Sequence, residues 1–214
     1  MALPSGTAEE KERQKTLFTE LEWAVGKLGS IRGVGDTDPF VFAHCDLLSG
    51  NVIVQASSAQ SSPISLPSDA SEGPCTVSFI DYEYSTAAPA VFDISNHFAE
   101  WAGFDCDYNG IPTRPQRLDF LQRYLQSYNT HSKRESKHGE LEKLFSDVDL
   151  YRGMPGFYWG IWALIQATIS HIDFDYASYA EIRLGEYWAW KADFEGKKPA
   201  PDQLPLRERR WHEE

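Results

Sequence analysis

His44, Asp46 and Asn51 make one compact polar set, and Asp81 and Glu83 in the run Ile80-Asp81-Tyr82-Glu83-Tyr84 make a second. Two carboxylates and a carboxamide suit a magnesium–phosphate site. Mg²⁺ is a hard ion that takes a few protein oxygens and leaves its other octahedral positions to water and substrate phosphate. Phosphoryl transfer also asks for one carboxylate that orients the attacking hydroxyl and accepts its proton. Asp46 is assigned that part, and Asn51 and Asp81 the metal. Asp and Asn cap turns routinely, so either motif alone reads as turn chemistry. Their placement at the ends of paired strands is what points to a site.

Other residues take supporting parts. His44 has no Cys or His cluster around it, so loop support by hydrogen bonding is expected rather than metal ligation or base chemistry. Glu83 and Asp93 are expected to organise the loop and the helix after it. Glu100 shares a helical face with Asp93 if that helix is continuous. Tyr158, Trp159 and Trp162 fall within little more than one turn, and Tyr176 and Tyr179 open the next helix. Aromatic faces attract an organic cation, and neighbouring carboxylates add Coulomb attraction. Taken singly, each of these aromatics also fits core packing.

The elements that must position these groups follow from periodicity. Leu17, Leu21, Ala24, Val25 and Leu28 recur at helical spacing from Ala8 to about Lys27, with Gly26, Gly29, Gly33 and Gly35 breaking the pattern. Pro39 to Ala43 delivers His44. Asn51 to Gln55 and Cys75 to Ile80 read as the strands of a hairpin. The Ser-, Ala- and Pro-rich segment Ala56 to Pro74 between them reads as a disordered loop with no catalytic role. Helices are expected over Ala90 to Ala102, around Leu118 to Tyr128, around Leu141 to Val148, over Gly156 to His171 and over Phe174 to Lys191. After Gly196 the composition predicts a polar tail with little to bury. The fold class is α+β and mainly helical, with a small β-hairpin carrying the polar motifs.

Gross composition narrows the partners. The 214 residues carry 32 acidic and 20 basic side chains, a formal charge of −12, and no concentrated basic patch. Such a chain repels a polyanion, so no nucleic acid is expected. The 42% hydrophobic content and seven tryptophans fit a folded domain. Cys45, Cys75 and Cys106 lack metal or disulfide spacing, which predicts a reducing, cytoplasmic setting. Met1 to Lys15 lacks the apolar stretch of a signal peptide, and Phe157 to Ile169 is too short to span a bilayer, so no membrane insertion is expected. A homodimer is compatible with the sequence, which does not fix oligomeric state.

Three separated blocks, His44 to Val54, Phe79 to Tyr108 and Phe157 to Trp190, closely resemble the eukaryotic choline/ethanolamine kinase family. The resemblance implies a protein-kinase-like C-terminal lobe over residues 40–192, preceded by a helix and loop over 1–39 and followed by the tail over 193–214. It implies Mg²⁺ and ATP as cofactor and phosphoryl donor, with a small amino alcohol as acceptor. Asp46 then becomes the catalytic base, and Asn51 and Asp81 contact magnesium. Glu100, Tyr108, Trp159, Trp162 and Tyr179 match the amine-binding groups, with Gln166 and Arg183 in support.

Leu47-Leu48 and Ala102-Gly103-Phe104 look more like the ethanolamine branch, which implies phosphorylation of ethanolamine to phosphoethanolamine for phosphatidylethanolamine synthesis. The alternatives are choline as substrate, or a non-catalytic amine-binding or protein-interaction fragment. Two departures stand out. Cys45 replaces the family Asn, and a thiol cannot replace an amide's paired donor and acceptor. The family's glycine-containing phosphate loop and ATP-holding lysine have no counterpart, so the chain is expected to be the C-terminal lobe alone, whether as a fragment, a shortened product or an incomplete gene model.

Overall fold

The computed structural model describes residues 3–31, 34, 40–56, 75–197, 200 and 203–214. Thr7 and Glu10 form a reciprocal capping box that starts helix α1, Ala8–Leu28, satisfying amide donors that a helix N-terminus leaves unpaired. Leu17, Ala24 and Leu28 of α1 are buried. Glu20 is buried too and accepts the Tyr187 hydroxyl at 2.7 Å as well as the Lys191 ammonium.

Two short antiparallel ladders follow. Strand β2, Val52–Ala56, pairs with β3, Cys75–Phe79, as the alternation predicts. Strand β1, Val41–Ala43, pairs with β4, Thr86–Ala88, a strand that the sequence did not announce. Its three residues are too few to show an alternation. The segment 57–74 and the Gly33 and Gly35 positions lie outside the described residues. Among the described residues, the β2–β3 pair leaves one apolar face open. Val54 and Val77 stand opposite each other and are 63% and 48% exposed, beside the exposed Phe79.

Helices complete the fold: α2, Ala90–Glu100; α3, Arg114–His131; α4, Glu140–Tyr151; α5, Met154–Ile169; and α6, Tyr176–Phe194. Their apolar faces meet in one core that includes Val91, Phe98, Leu121, Val148, Phe157, Tyr187 and Trp190. Helices α5 and α6 approach closely because α5 offers glycine at the crossing. A Cβ on Gly156 would stand 2.5 Å from the Arg183 carbonyl oxygen, and one on Gly160 would stand 2.6 Å from Leu184 Cγ. That approach sets Trp159 and Trp162 of α5 beside Tyr179 of α6. The mainly helical α+β expectation agrees with this architecture. No helix among the described residues is long and apolar enough to cross a membrane.

The C-terminal segment departs from expectation. Leu206–Trp211 forms a seventh helix, α7, whose Arg207, Glu208 and Trp211 are almost wholly buried. Trp211 packs into the core, with the Arg117 guanidinium 4.0 Å from its ring centroid. Arg207 and Glu208 join an ion network with Arg152, Glu186, Arg183 and Glu100. A charge-rich segment can enter a core only when every charge finds a partner, which composition does not reveal.

Candidate active site

Helix α2 holds the backbone of the segment that carries Asp46. Asp93 accepts the His44 amide at 2.9 Å through one carboxylate oxygen and the Cys45 amide at 2.8 Å through the other. One turn further on, the Asn96 Nδ2 donates to the Cys45 carbonyl at 3.0 Å. His97 Nδ1 meets the Leu47 carbonyl at 2.7 Å, and the Trp101 indole N–H points at His97 Nε2 at 3.2 Å. A carbonyl needs a donor and an indole N–H needs an acceptor, so this network assigns the neutral imidazole with its proton on Nδ1. Burial lowers the His97 pKa further from its ordinary value. Asp93, Asn96 and His97 share one helical face, and all three reach a segment with no regular structure of its own.

The clamp maintains a strained backbone. Cys45 sits in the left-handed region at φ 62°, as does Asp81 at φ 65°. Non-glycine residues there cost conformational energy and persist when surrounding contacts over-determine them. The Cys45 thiol is buried, and burial with the Asp93 charge pushes it up to about 11.

Asp46 and Asn51 meet as their spacing predicted. Asn51 Nδ2 donates to the Asp46 carbonyl at 2.8 Å and to its carboxylate at 3.1 Å, which leaves Asn51 Oδ1 as the acceptor face of that amide. The Ile80 amide donates to Asn51 O at 3.1 Å, and His44 Nε2 lies 2.9 Å from Ile80 O, so both polar motifs are tied together through backbone. Asp81 and Glu83 are exposed at the mouth of this site. Burial raises the Asp46 carboxyl above its usual range, and the Asp81 and Glu83 charges push the same way against His44 and the Asn51 amide. Oxygen donors crowded into mutual repulsion suit a divalent hard cation. Beside Asp46, the Asn51 Oδ1 and the Asp81 carboxylate are oxygen donors of the kind that magnesium takes.

The aromatic residues form a second cluster against the first. Trp159 and Tyr179 are buried together with Ala163 and Ala180, with Tyr84, Tyr158 and Trp162 packed around them. Trp159 and Trp162 meet edge-on at 5.4 Å, as do Tyr84 and Trp159 at 5.5 Å. Two hydrogen bonds join the clusters: the Trp159 indole donates to Asn96 Oδ1 at 2.8 Å, and the Trp162 indole donates to the Tyr84 hydroxyl at 2.9 Å. Burial pushes the Tyr158 hydroxyl up to about 12, with Cys45, Tyr84 and Asp46 adding to it.

Glu100 lies at the end of α2 and is buried, with Arg183 Nη2 at 3.3 Å. Burial raises its pKa, Arg183 opposes that, and Asp46 and Glu186 add to it, which puts Glu100 within electrostatic reach of the candidate base. Tyr108 stands one step away from the aromatic cluster. It packs on the main core and donates its hydroxyl to Glu186 at 3.0 Å. Gln166 is half-buried on α5, where its carbonyl accepts the Ser170 amide at the helix end.

Asn96, His97 and Tyr84 were missed as site residues, along with Phe104 and Phe174, which flank Tyr179 at 6.0 and 5.6 Å. For Asn96 and His97 a signal existed, since both sit at helical spacing from Asp93 on its own face. Tyr84 lay inside the motif already singled out.

The sequence model of the choline/ethanolamine kinase family matches residues 6–188. The chain belongs to the choline/ethanolamine kinase family. It is 36% identical over 185 residues to a probable ethanolamine kinase of Arabidopsis thaliana, covering 85% of this chain and 44% of that protein. It is 40% identical over 157 residues to the ethanolamine kinase of Drosophila melanogaster, covering 73% of this chain and 27% of that one. The chain thus spans less than half the length of either relative. Among solved structures, a Plasmodium vivax ethanolamine kinase aligns with TM-score 0.60 and 25% identity over 87% of this chain and 43% of that one. A Cryptosporidium parvum choline kinase shares the fold, with TM-score 0.58 and 21% identity over 92% of this chain and 53% of that one. The helical architecture with its small strand pairs is that of these protein-kinase-like enzymes.

Proposed function

We propose that this chain carries the phosphate-acceptor half of an ethanolamine kinase, which transfers the γ-phosphoryl group of Mg-ATP to the hydroxyl of ethanolamine. The supporting observation is the junction of the two clusters: the clamp that holds Asp46 is hydrogen-bonded through Asn96 to Trp159. The chemistry that bound magnesium would supply is neutralisation of the charge that develops on the transferring phosphate. Asn51 and Asp81 would hold it by their oxygens. Asp46 orients the acceptor hydroxyl and receives its proton, and the raised affinity of its carboxyl for a proton favours that step. Trp159, Trp162 and Tyr179 receive the ammonium end, with the Glu100 carboxylate drawing it inward. Ethanolamine and choline each carry one positive charge and differ in methyl bulk, so the discrimination amounts to about 1–3 kcal/mol. Ethanolamine is preferred here on Leu47-Leu48 and Ala102-Gly103-Phe104, and the product would feed phosphatidylethanolamine synthesis.

The test is phosphoethanolamine formation by the purified chain with magnesium and ATP. Turnover above an Asp46→Ala control supports the reading, and a twin assay with choline ranks the two amines. The open apolar face of Val54, Val77 and Phe79 favours a second reading, in which this half binds amine but holds no nucleotide without a covering partner. Calorimetric binding of ethanolamine with no heat from Mg-ATP would select it.

A further inference from the structure

We propose that Arg207, on the C-terminal helix α7, is a positioning residue for the amine site: by neutralising Glu186 it leaves the Arg183 guanidinium to Glu100. The inference rests on the reading of Glu100 as the carboxylate that draws in the ammonium.

The geometry is a buried chain of alternating charge. Glu100 Oε1 lies 3.3 Å from Arg183 Nη2, Arg183 Nε lies 3.6 Å from Glu186 Oε2, and that same oxygen lies 3.5 Å from Arg207 Nε. Every one of these side chains is 5% exposed or less. Arg207 is itself anchored, with Nη1 3.0 Å from Glu208 Oε1 and Nη2 donating to the Arg152 carbonyl at 2.6 Å. Arg183 Nε and Glu186 Oε2 have no hydrogen-bond partner at ordinary geometry, so the contact between them is electrostatic only. Two carboxylates share one guanidinium here, and a second guanidinium settles the division.

Removal of the Arg207 charge would leave Glu100 and Glu186 competing for Arg183 in a site that water does not reach. Two buried carboxylates with one cation cannot both remain ionised at little cost. Glu186 keeps the Tyr108 hydroxyl at 3.0 Å in addition to Arg183 Nε. Among the described residues, the Glu100 carboxylate has the one ion pair to Arg183 Nη2, and its other ionisable neighbours are Asp46, Glu186, Cys106 and Tyr179, none of which is a cation. Glu100 is therefore the group that takes up a proton, and a neutral carboxyl attracts an ammonium weakly. Helix α7 thus serves the site without touching it.

The test compares the parent chain with Arg207→Met, Arg207→Lys and the pair Arg207→Met/Glu186→Gln, by calorimetric titration with ethanolamine and by following the Glu100 carboxyl ¹³C signal with pH. Arg207→Met should bind ethanolamine about tenfold more weakly or worse, and its Glu100 should protonate at higher pH. Arg207→Lys should keep most of the affinity. The pair should return both readouts towards the parent, because the surplus carboxylate is gone, whereas a structural role for Arg207 would leave the pair as weak as the single variant. Affinity and Glu100 titration unchanged in a folded Arg207→Met overturn the proposal. If that variant does not fold, Glu186→Gln alone should lower the pH at which Glu100 protonates, and an unchanged titration overturns the proposal equally. Failure of the parent chain to bind ethanolamine overturns the amine-site reading itself, and the role of Arg207 there with it.

Discussion

Asn51 Nδ2 bridges the carbonyl and the carboxylate of Asp46, at 2.8 and 3.1 Å, so the candidate base and a candidate metal ligand are fixed to each other before any substrate arrives. Holding reacting groups in place ahead of reaction is a principal way that a phosphoryl-transfer site lowers its barrier.

Asp46→Asn should lower turnover by about 10²- to 10⁴-fold, the usual worth of a general base. It should also raise thermal stability at pH 7. The folded carboxyl is raised above its unfolded value, so its favourable contribution is complete at low pH and is lost as pH rises through the folded value. Melting curves of parent and variant should therefore differ most near neutrality and converge below the ordinary carboxylate range.

Asp93→Ala should cost about 2–4 kcal/mol, because the His44 and Cys45 amides lose a charged acceptor. Denaturant melts measure this loss. Ethanolamine affinity should change less than turnover, since the aromatic cluster has its own packing.

Cys45→Asn should raise stability by about 0.5–1 kcal/mol, a fraction of the strain an ordinary residue carries in the left-handed region. Asn tolerates that conformation better than a thiol-bearing side chain does. Thermal melts decide it, and a lower midpoint would show that the buried amide finds no partners there.

Trp159→Leu should weaken ethanolamine binding about 2- to 30-fold, through loss of a cation–π face worth about 0.5–2 kcal/mol. Trp162→Phe keeps a ring but loses the bond to the Tyr84 hydroxyl, so its effect on calorimetric affinity should be smaller.

Local pattern carried much of the fold. Helix α1 and helices α2 to α6 followed from apolar spacing, and the β2–β3 pair followed from alternation around Val52, Val54, Val77 and Phe79. What stayed hidden depended on partners distant in the chain. The burial of Arg207 and Glu208 requires Arg152 and Glu186, and a charge-rich segment without them reads as solvated. The left-handed Cys45 could not be read either, because the Asp93 carboxylate and the Asn96 amide that hold that backbone lie far along the chain. Asp46 and Asn51 were legible as a pair because five residues and a turn suffice to join them. The separation of Tyr108 from Tyr179 was not, since the packing of α6 decides it.

The clamp on His44 and Cys45 also bears on how this site would respond to solvent. Peptide groups outside helices and strands ordinarily exchange their hydrogens with water quickly, yet these two amides are donated to a carboxylate whose helix is seated in the core. The segment carrying Asp46 should therefore retain deuterium-exchange protection comparable to α2 itself, and lose it only when α2 unfolds.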